Sequence, residues 1–413
     1  MDIFAGLQQA LTPAALLANC SGVALGIIFG SLPGLTAAMG VALLIPLSFG
    51  MPTVEAFSLL LGMYCGAIYG GCIPAILVGT PGTVAAAATI LEGPKLTAKG
   101  QSLKALDMAT WASFLGGTFS GVALVTCAPL LAMAAMRFGA PEYFALAVFA
   151  LTVVATFSSG NIVKGLAAAF FGLFLSSIGI DQVSGDFRNT FNMPDLFSGI
   201  PLVPALVGLF AVSQVMLSLE DVFRGQFGIV KYGRLSNKGL ALKELLVQKF
   251  NLLRSSVIGT IIGIIPATGA SAACFIAYSE AKRHSATPEA FGTGTLEGIA
   301  ATESSNNAVT GGALIPMMVL GVPGDVLTAI LLGALMIQGL APGPLLFSEH
   351  STVVSGIFGS FFVAQAAMLV IGLLAVRVAG KIVHVPTPIL MPIVLVLCAI
   401  GSYATNNSTF DLW

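Results

Sequence analysis

The chain has 413 residues, of which 56% are hydrophobic and 8% charged, with a formal net charge of -1. Soluble domains carry about a quarter of their residues charged, so a mean hydropathy of +0.97 leaves a polytopic membrane protein as the class that fits. No basic footprint points to nucleic acid; the lipid bilayer is the expected partner.

The N-terminus, Met1-Asp2-Ile3-Phe4, lacks the basic n-region of a cleavable signal, so insertion is expected to rely on the first apolar span. Residues 13–50 form two apolar stretches split at Ser31-Leu32-Pro33-Gly34-Leu35-Thr36. Residues 54–78 predict a crossing that ends at Gly79-Thr80-Pro81-Gly82 and is followed by Thr83 and a short alanine-rich piece at 84–91. The polar segment 92–104 holds Lys95, Lys99 and Lys104. Four further spans are expected at 105–136, 141–157, 162–180 and 200–219, each near the ~20 residues a crossing needs. Asp181, Asp186, Asp195 and Arg188 lie in the loop before the last of these.

The segment 220–254 is the most hydrophilic, with Arg224, Lys231, Arg234, Lys238, Lys243, Lys249 and Arg254. Lysine and arginine in short loops mark the cytoplasmic side. With 92–104 inside, four crossings return the chain inside at 220 and put the acidic loop outside. Residues 351–376 and 386–400 predict two last spans, separated by Arg377 and Lys381.

The second apolar block repeats the first. Gly26, Gly30 and Pro33 recur 233 positions later as Gly259, Gly263 and Pro266; Pro74, Gly79, Pro81 and Gly82 recur 242 positions later as Pro316, Gly321, Pro323 and Gly324. A longer loop at 281–297 accounts for the difference. The loop closing the first copy has three lysines, whereas its counterpart at 341–350 has neither lysine nor arginine. By the positive-inside bias the copies run in opposite directions, as in many secondary transporters. The chain then divides into a first core at 1–104, connecting spans with the basic segment at 105–254, a second core at 255–350 and terminal spans at 351–413.

A Pro-Gly pair cannot continue a helix. A lone break reads as a packing kink or a tight interhelical turn; paired breaks at membrane depth point to a substrate site. Each is followed by an apolar segment whose first turn presents unpaired N-H groups and a positive dipole end, suited to an anion. Pro33, Gly34 and Thr36 flank one such region, with Thr268 and Ser271 beside its counterpart. Thr80, Pro81, Gly82, Thr83, Pro323, Gly324 and Asp325 flank the main pair. For Asp325, capping its own helix and a coupling role remain equally open. Tyr64 and Tyr69 read as interface anchors or packing.

Inside the apolar run 298–320 stands Glu303-Ser304-Ser305-Asn306-Asn307, with Thr310 beyond. Spacing of three and four puts Glu303, Asn306, Asn307 and Thr310 on one side of a helix. Such polarity is costly in lipid, so it serves helix packing or transport. Carboxylate, amide carbonyl and hydroxyl are hard oxygen ligands that suit a small alkali cation, Na+ first, or a proton relay. Cys20, Cys65, Cys72, Cys127, Cys274 and Cys398 lack metal or disulfide spacing. His284, His350 and His384 lie in loops or near span ends, and no nucleophile, P-loop or zinc motif occurs, so neither an enzyme nor a resident cofactor is expected.

Gly30-Ser31-Leu32-Pro33-Gly34-Leu35-Thr36, Ala42-Leu43-Leu44-Ile45-Pro46, Tyr69-Gly70-Gly71 through Thr80-Pro81-Gly82, and Glu303–Asn307 running through Gly311-Gly312-Ala313-Leu314-Ile315-Pro316 into Gly321-Val322-Pro323-Gly324 together form a specific pattern. It resembles the large membrane subunit of the tripartite tricarboxylate transporters, the TctA family, over essentially the whole chain. The resemblance implies a bacterial inner-membrane, cation-coupled carboxylate importer working with a small membrane subunit and a periplasmic substrate-binding protein. Gly79 stands where the family often has asparagine, Ala267 where glycine is usual, and Glu92-Gly93 where Asp-Gly is usual; the family usually continues beyond Trp413 through further spans. The expectation is an all-α polytopic transporter with two inverted repeats and broken helices. Its competitors are a non-transporting scaffold or assembly subunit, and an H+-coupled transporter of another organic anion.

Overall fold

The computed structural model describes residues 3–32, 35–157, 162–181, 184–223, 239–266, 268–382 and 387–412. Pro33 and Gly34, Ala267, His384 and the basic stretch 224–238 lie outside the described residues. The chain is an all-α polytopic membrane protein. Among the described residues, four helical runs are long and apolar enough to cross a bilayer: Pro13–Ser31, Thr53–Val78, Ser102–Ala135 and Ser351–Arg377.

In chain order the helices are α1 (Ile3–Ala10), α2 (Pro13–Ser31), α3 (Ala37–Ser48), α4 (Thr53–Gly70), α5 (Cys72–Val78), α6 (Gly93–Ala98) and α7 (Ser102–Ala135). Next come α8 (Ala140–Phe157), α9 (Ile162–Ser176), α10 (Leu202–Leu206), α11 (Ser213–Phe223), α12 (Leu242–Val247), α13 (Lys249–Ile264) and α14 (Gly269–His284). The last are α15 (Leu296–Leu320), α16 (Val326–Ile337), α17 (Pro344–Glu349), α18 (Ser351–Ile382) and α19 (Thr387–Asn406). The expected span at 54–78 is α4 and α5, meeting at Gly71; the alanine-rich piece is a 3-10 helix, Val84–Leu91. A π-helical turn, Val207–Val212, joins α10 to α11. The acidic loop adds a two-residue strand pair, Gly179–Ile180 with Phe187–Arg188, beside an Asp181–Arg188 ion pair of 2.6 Å.

Small residues set the packing, as they must where lipid gives helices no hydrophobic reason to associate. Along α2, a Cβ built on Gly26 would stand 2.5 Å from the Met63 carbonyl oxygen, and one on Gly30 2.2 Å from that of Ala67. α13 repeats this on α15: Gly259 meets the Ser305 carbonyl at 2.3 Å and Gly263 that of Val309 at 2.7 Å. From the opposite side, Gly70 meets the Ile27 carbonyl at 2.6 Å and Gly312 that of Thr260 at 2.5 Å. These six contacts obey the same two offsets as the sequence repeat, so the duplication is one of contacts as well as of letters.

α7 and α18 wrap the two pairs. Gly116 of α7 abuts the Ser304 carbonyl and Gly311 of α15 abuts Ser120. Phe57, Tyr64, Tyr69, Phe358 and Phe361 fill the centre, all fully buried. Gly82 is half-buried and makes the tightest approach in the first break: a Cβ there would stand 1.9 Å from the Gly30 carbonyl oxygen. Gly82→Ala is therefore expected to lower the unfolding temperature by several degrees, as a core overpacking of roughly 1–3 kcal/mol would. Thermal unfolding in detergent measures it, and an unchanged midpoint would show that the break is not held against α2.

Candidate functional site

Both breaks have the same backbone. Gly79 ends α5 at φ 76°, ψ 17° and Gly321 ends α15 at φ 69°, ψ 17°, left-handed values that glycine adopts without a steric penalty. Each is backed by a proline ring: a Cβ on Gly79 would lie 3.3 Å from Pro94, and one on Gly321 3.5 Å from Pro342. Gly82 then folds back so that its N-H donates to the Gly71 carbonyl at 3.1 Å. Gly324 makes the matching turn against Ala313 and the Gly263 carbonyl.

Beyond the breaks the two copies diverge. α16 begins with Asp325, whose carboxylate accepts from the Thr328 N-H at 2.7 Å and from the Tyr64 hydroxyl at 2.8 Å. The Thr328 hydroxyl in turn accepts from the Asp325 N-H at 2.9 Å. This end of the helix already holds a negative group, which complements its dipole. The 3-10 helix after the first break starts at Thr83, whose side chain makes no capping bond and whose buried hydroxyl has no partner among the described residues. Thr80 and Pro81 beside it are exposed. The first break therefore offers free donors where the second has supplied its own acceptor.

Tyr64→Phe removes the Asp325 contact and nothing else. Hydrogen bonds to charged groups contribute about 1.5–3 kcal/mol, so a fall of that size in unfolding free energy is expected, measured by denaturation in detergent. A loss below about 0.5 kcal/mol would mean that the bond is not made.

Helix α4 is the spine that brings the parts together. Asp325 meets it at Tyr64, the Asn306 amide donates to the Ile68 carbonyl at 3.4 Å, and the Thr83 side chain lies against Gly71. From Tyr64 to Gly71 is two turns, about 10 Å along the axis and back to the same face. The flanks of the two breaks thus lie on one face of one helix, with the polar run of α15 between them.

Glu303, Asn306, Asn307 and Thr310 are all buried within α15. The Glu303 carboxylate, 0% exposed, accepts from the Thr89 hydroxyl of the 3-10 helix and, at 3.4 Å, from the Asn306 amide. No ion pair to Glu303 is made among the described residues, so any counter-charge for this carboxylate has to come from a bound cation or proton. The Asn306 carbonyl oxygen has no partner among the described residues. Asn307 turns away, its amide donating to Met368 Sδ of α18 at 3.3 Å, while the Thr310 hydroxyl donates to the Asn307 carbonyl in its own helix at 2.6 Å.

The remaining expected residues sit at the margin. Thr36 caps α3 by accepting from the Met39 N-H at 3.1 Å. The exposed Thr268 closes the end of α13, donating to the Ile262 and Ile265 carbonyls. Ser271 is one turn before Cys274, which packs on Ala85 and Ala88 of the 3-10 helix. Pro323 is half-buried and Gly324 buried within the second break. Spacing missed Thr89, though it is the one hydroxyl in an otherwise apolar piece, and it missed Tyr64 as a partner of Asp325.

The profile of the tripartite tricarboxylate transporter TctA family matches residues 16–413. A relative from Agrobacterium vitis, an uncharacterized 52.8 kDa protein in the TAR-I ttuC' 3' region, is 34% identical over 408 residues, spanning 99% of this chain and 81% of that protein. Another, an uncharacterized protein in the TAR-II ttuC' 3' region of Agrobacterium vitis, is 32% identical over 155 residues, 38% of this chain and 64% of that protein. No solved structure matches the chain.

Proposed function

The chain belongs to the tripartite tricarboxylate transporter TctA family, and from that premise we propose that it imports a small carboxylate of the tricarboxylate type across the bacterial inner membrane, driven by Na+. A periplasmic binding protein delivers the substrate, and a small membrane subunit completes the assembly. The observation that carries the coupling is Glu303, a buried carboxylate whose partners are the neutral Thr89 hydroxyl and Asn306 amide. Its charge calls for a cation, and intramembrane carboxylates mark ion pathways.

In this reading Na+ sits against Glu303 and the Asn306 carbonyl. The substrate carboxylates take the donors of Thr80 and Thr83 at the first break, because Asp325 already fills the start of α16 and repels an anion there. Pro81, Gly82, Pro323 and Gly324 shape the breaks, and Thr36, Thr268 and Ser271 line the approach. Cation and anion then lie along one face of α4, so binding of either favours the other. The two copies run oppositely through the bilayer, with lysine-bearing 92–104 and the segment 220–254 on the cytoplasmic side. Alternating access comes from movement of the site past a fixed scaffold.

The test is uptake of labelled tri- and dicarboxylates into proteoliposomes holding the chain, its small subunit and the binding protein. An inward Na+ gradient should drive accumulation and choline should not. Uptake that follows a pH gradient alone would give the site to protons, and flat uptake under every gradient would leave a scaffold.

A further inference from the structure

Gln365 lies in the middle of α18, a run that reads as a plain crossing. It is fully buried, its amide donates to Cys65 Sγ of α4 at 3.2 Å, and its carbonyl oxygen has no partner among the described residues. Asn307 repeats the arrangement. It is fully buried, its amide donates to Met368 Sδ, and its carbonyl oxygen also has no partner among the described residues. Met368 is one turn on from Gln365, Thr310 lies beside Cys65, and Thr310 donates to the Asn307 backbone. Gln365, Cys65, Thr310, Asn307 and Met368 therefore close a ring across three helices.

The fourth wall is α7. A Cβ built on Gly117 would stand 2.2 Å from Gln365 Oε1, so only glycine leaves room for that amide, and the neighbouring Gly116 abuts α15 at Ser304. Ser113, one turn before Gly117, is buried with a hydroxyl that has no partner among the described residues.

The chemistry of this ring is lopsided. Both amides give their N-H groups to sulfur, a weak acceptor, and leave bare their carbonyls, which are strong ones. Exchanging O and N does not repair it. Met368 has no proton to give, so a turned Asn307 would set its carbonyl against an acceptor and orphan its NH2. A turned Gln365 gains for its carbonyl only the Cys65 thiol, a weak donor, and sets its NH2 against Gly117. Neutral amide oxygens with a hydroxyl nearby, and no carboxylate, suit a monovalent hard cation; calcium and magnesium sites recruit carboxylates or phosphates.

We infer that Asn307 Oδ1 and Gln365 Oε1 are ligands of a second Na+ site, built from uncharged groups and separate from Glu303. Glu303 faces the 3-10 helix and Asn307 faces α18, with one turn of α15, about 6 Å, between them. That this site couples to transport rests on the reading above; that it binds Na+ does not.

Thermal unfolding of the purified full chain in detergent, in NaCl, KCl or choline chloride at equal ionic strength, tests it without transport. Na+ should raise the midpoint of the wild type and of Glu303→Gln. In the Glu303→Gln background, which removes the charge of the other proposed site, Gln365→Leu, which removes the bare carbonyl and keeps an apolar span, should fold as well as its parent and need at least ten-fold more Na+ for the same rise. Gly117→Ala, which pushes the Gln365 amide aside, should weaken the response in the same direction. A Glu303→Gln, Gln365→Leu protein that answers Na+ as Glu303→Gln does overturns the site, and so does a Glu303→Gln protein that answers K+ or choline equally, since the ring then holds only water. Uptake indifferent to a Na+ gradient, with the thermal response intact, would reject the coupling reading and leave the site standing.

Discussion

Glu303→Gln should abolish gradient-driven carboxylate uptake, by about 100-fold or more, while leaving the unfolding midpoint near that of the wild type. The amide has the shape of the carboxylate and can still accept from the Thr89 hydroxyl, so the packing of α15 on the 3-10 helix survives. The charge does not survive, and with it goes the attraction for the driving cation. A 100-fold loss corresponds to about 2.8 kcal/mol at 1.4 kcal/mol per factor of ten, modest for one charge in a low-dielectric interior. Thr89→Val keeps the charge and removes its donor, so an intermediate loss of about ten-fold is expected. Both are measured as initial rates in proteoliposomes with equal amounts of inserted protein. Wild-type uptake by Glu303→Gln would remove this carboxylate from the mechanism, because a residue serving only helix packing tolerates the change.

The largest effect on stability is expected at Glu92, which plays no part in the proposed transport chemistry. Its carboxylate is fully buried and accepts from the Tyr278 hydroxyl at 2.6 Å and from the backbone N-H groups of Gly292, Gly294 and Thr295 at 2.5, 2.7 and 2.9 Å. Lys95 and Lys99, one and two turns on, donate to the carbonyls of Gly292 and Gly294, so the same loop is held by its acceptors as well. Glu92→Ala strands four donors, three backbone N-H groups and the Tyr278 hydroxyl, in a partly buried environment. At about 1–3 kcal/mol for each unsatisfied group, with relaxation recovering part, a net loss of about 3 kcal/mol or more is expected. Glu92→Gln keeps one accepting oxygen and should fall between. Chemical denaturation in detergent gives the size, and limited proteolysis within 285–297 gives the place. A Glu92→Ala protein within about 1 kcal/mol of the wild type, with that loop no more open to protease, would show that the clasp does not hold it.

Sequence spacing exposes some of this and hides the rest for definite reasons. The breaks at Gly79 and Gly321 are legible because Pro-Gly pairs act locally, and both glycines take the left-handed turn that such pairs demand. The polar run of α15 is legible because charge inside an apolar span needs an explanation. Its division is not: Asn306 and Asn307 are adjacent, yet one reaches α4 and the other α18, and only the neighbours decide which. Thr89, Tyr64 and Gln365 each meet a partner more than 200 residues away, so no periodicity could pair them. Glu92 is hidden more deeply, since most of what it holds is backbone, which carries no letter in the sequence.

The glycines of α2 and α13 bear on ancestry. Apolar side chains of similar volume interchange at little cost, so a doubled gene segment can drift until few of its original hydrophobic letters remain. A position that rests on a neighbour's carbonyl oxygen cannot drift, because any larger residue forces two backbones apart. Gly26 with Gly30 and Gly259 with Gly263 are such fixed marks. They allow the two halves of this chain to be aligned by their backbone contacts even where the apolar letters between them differ.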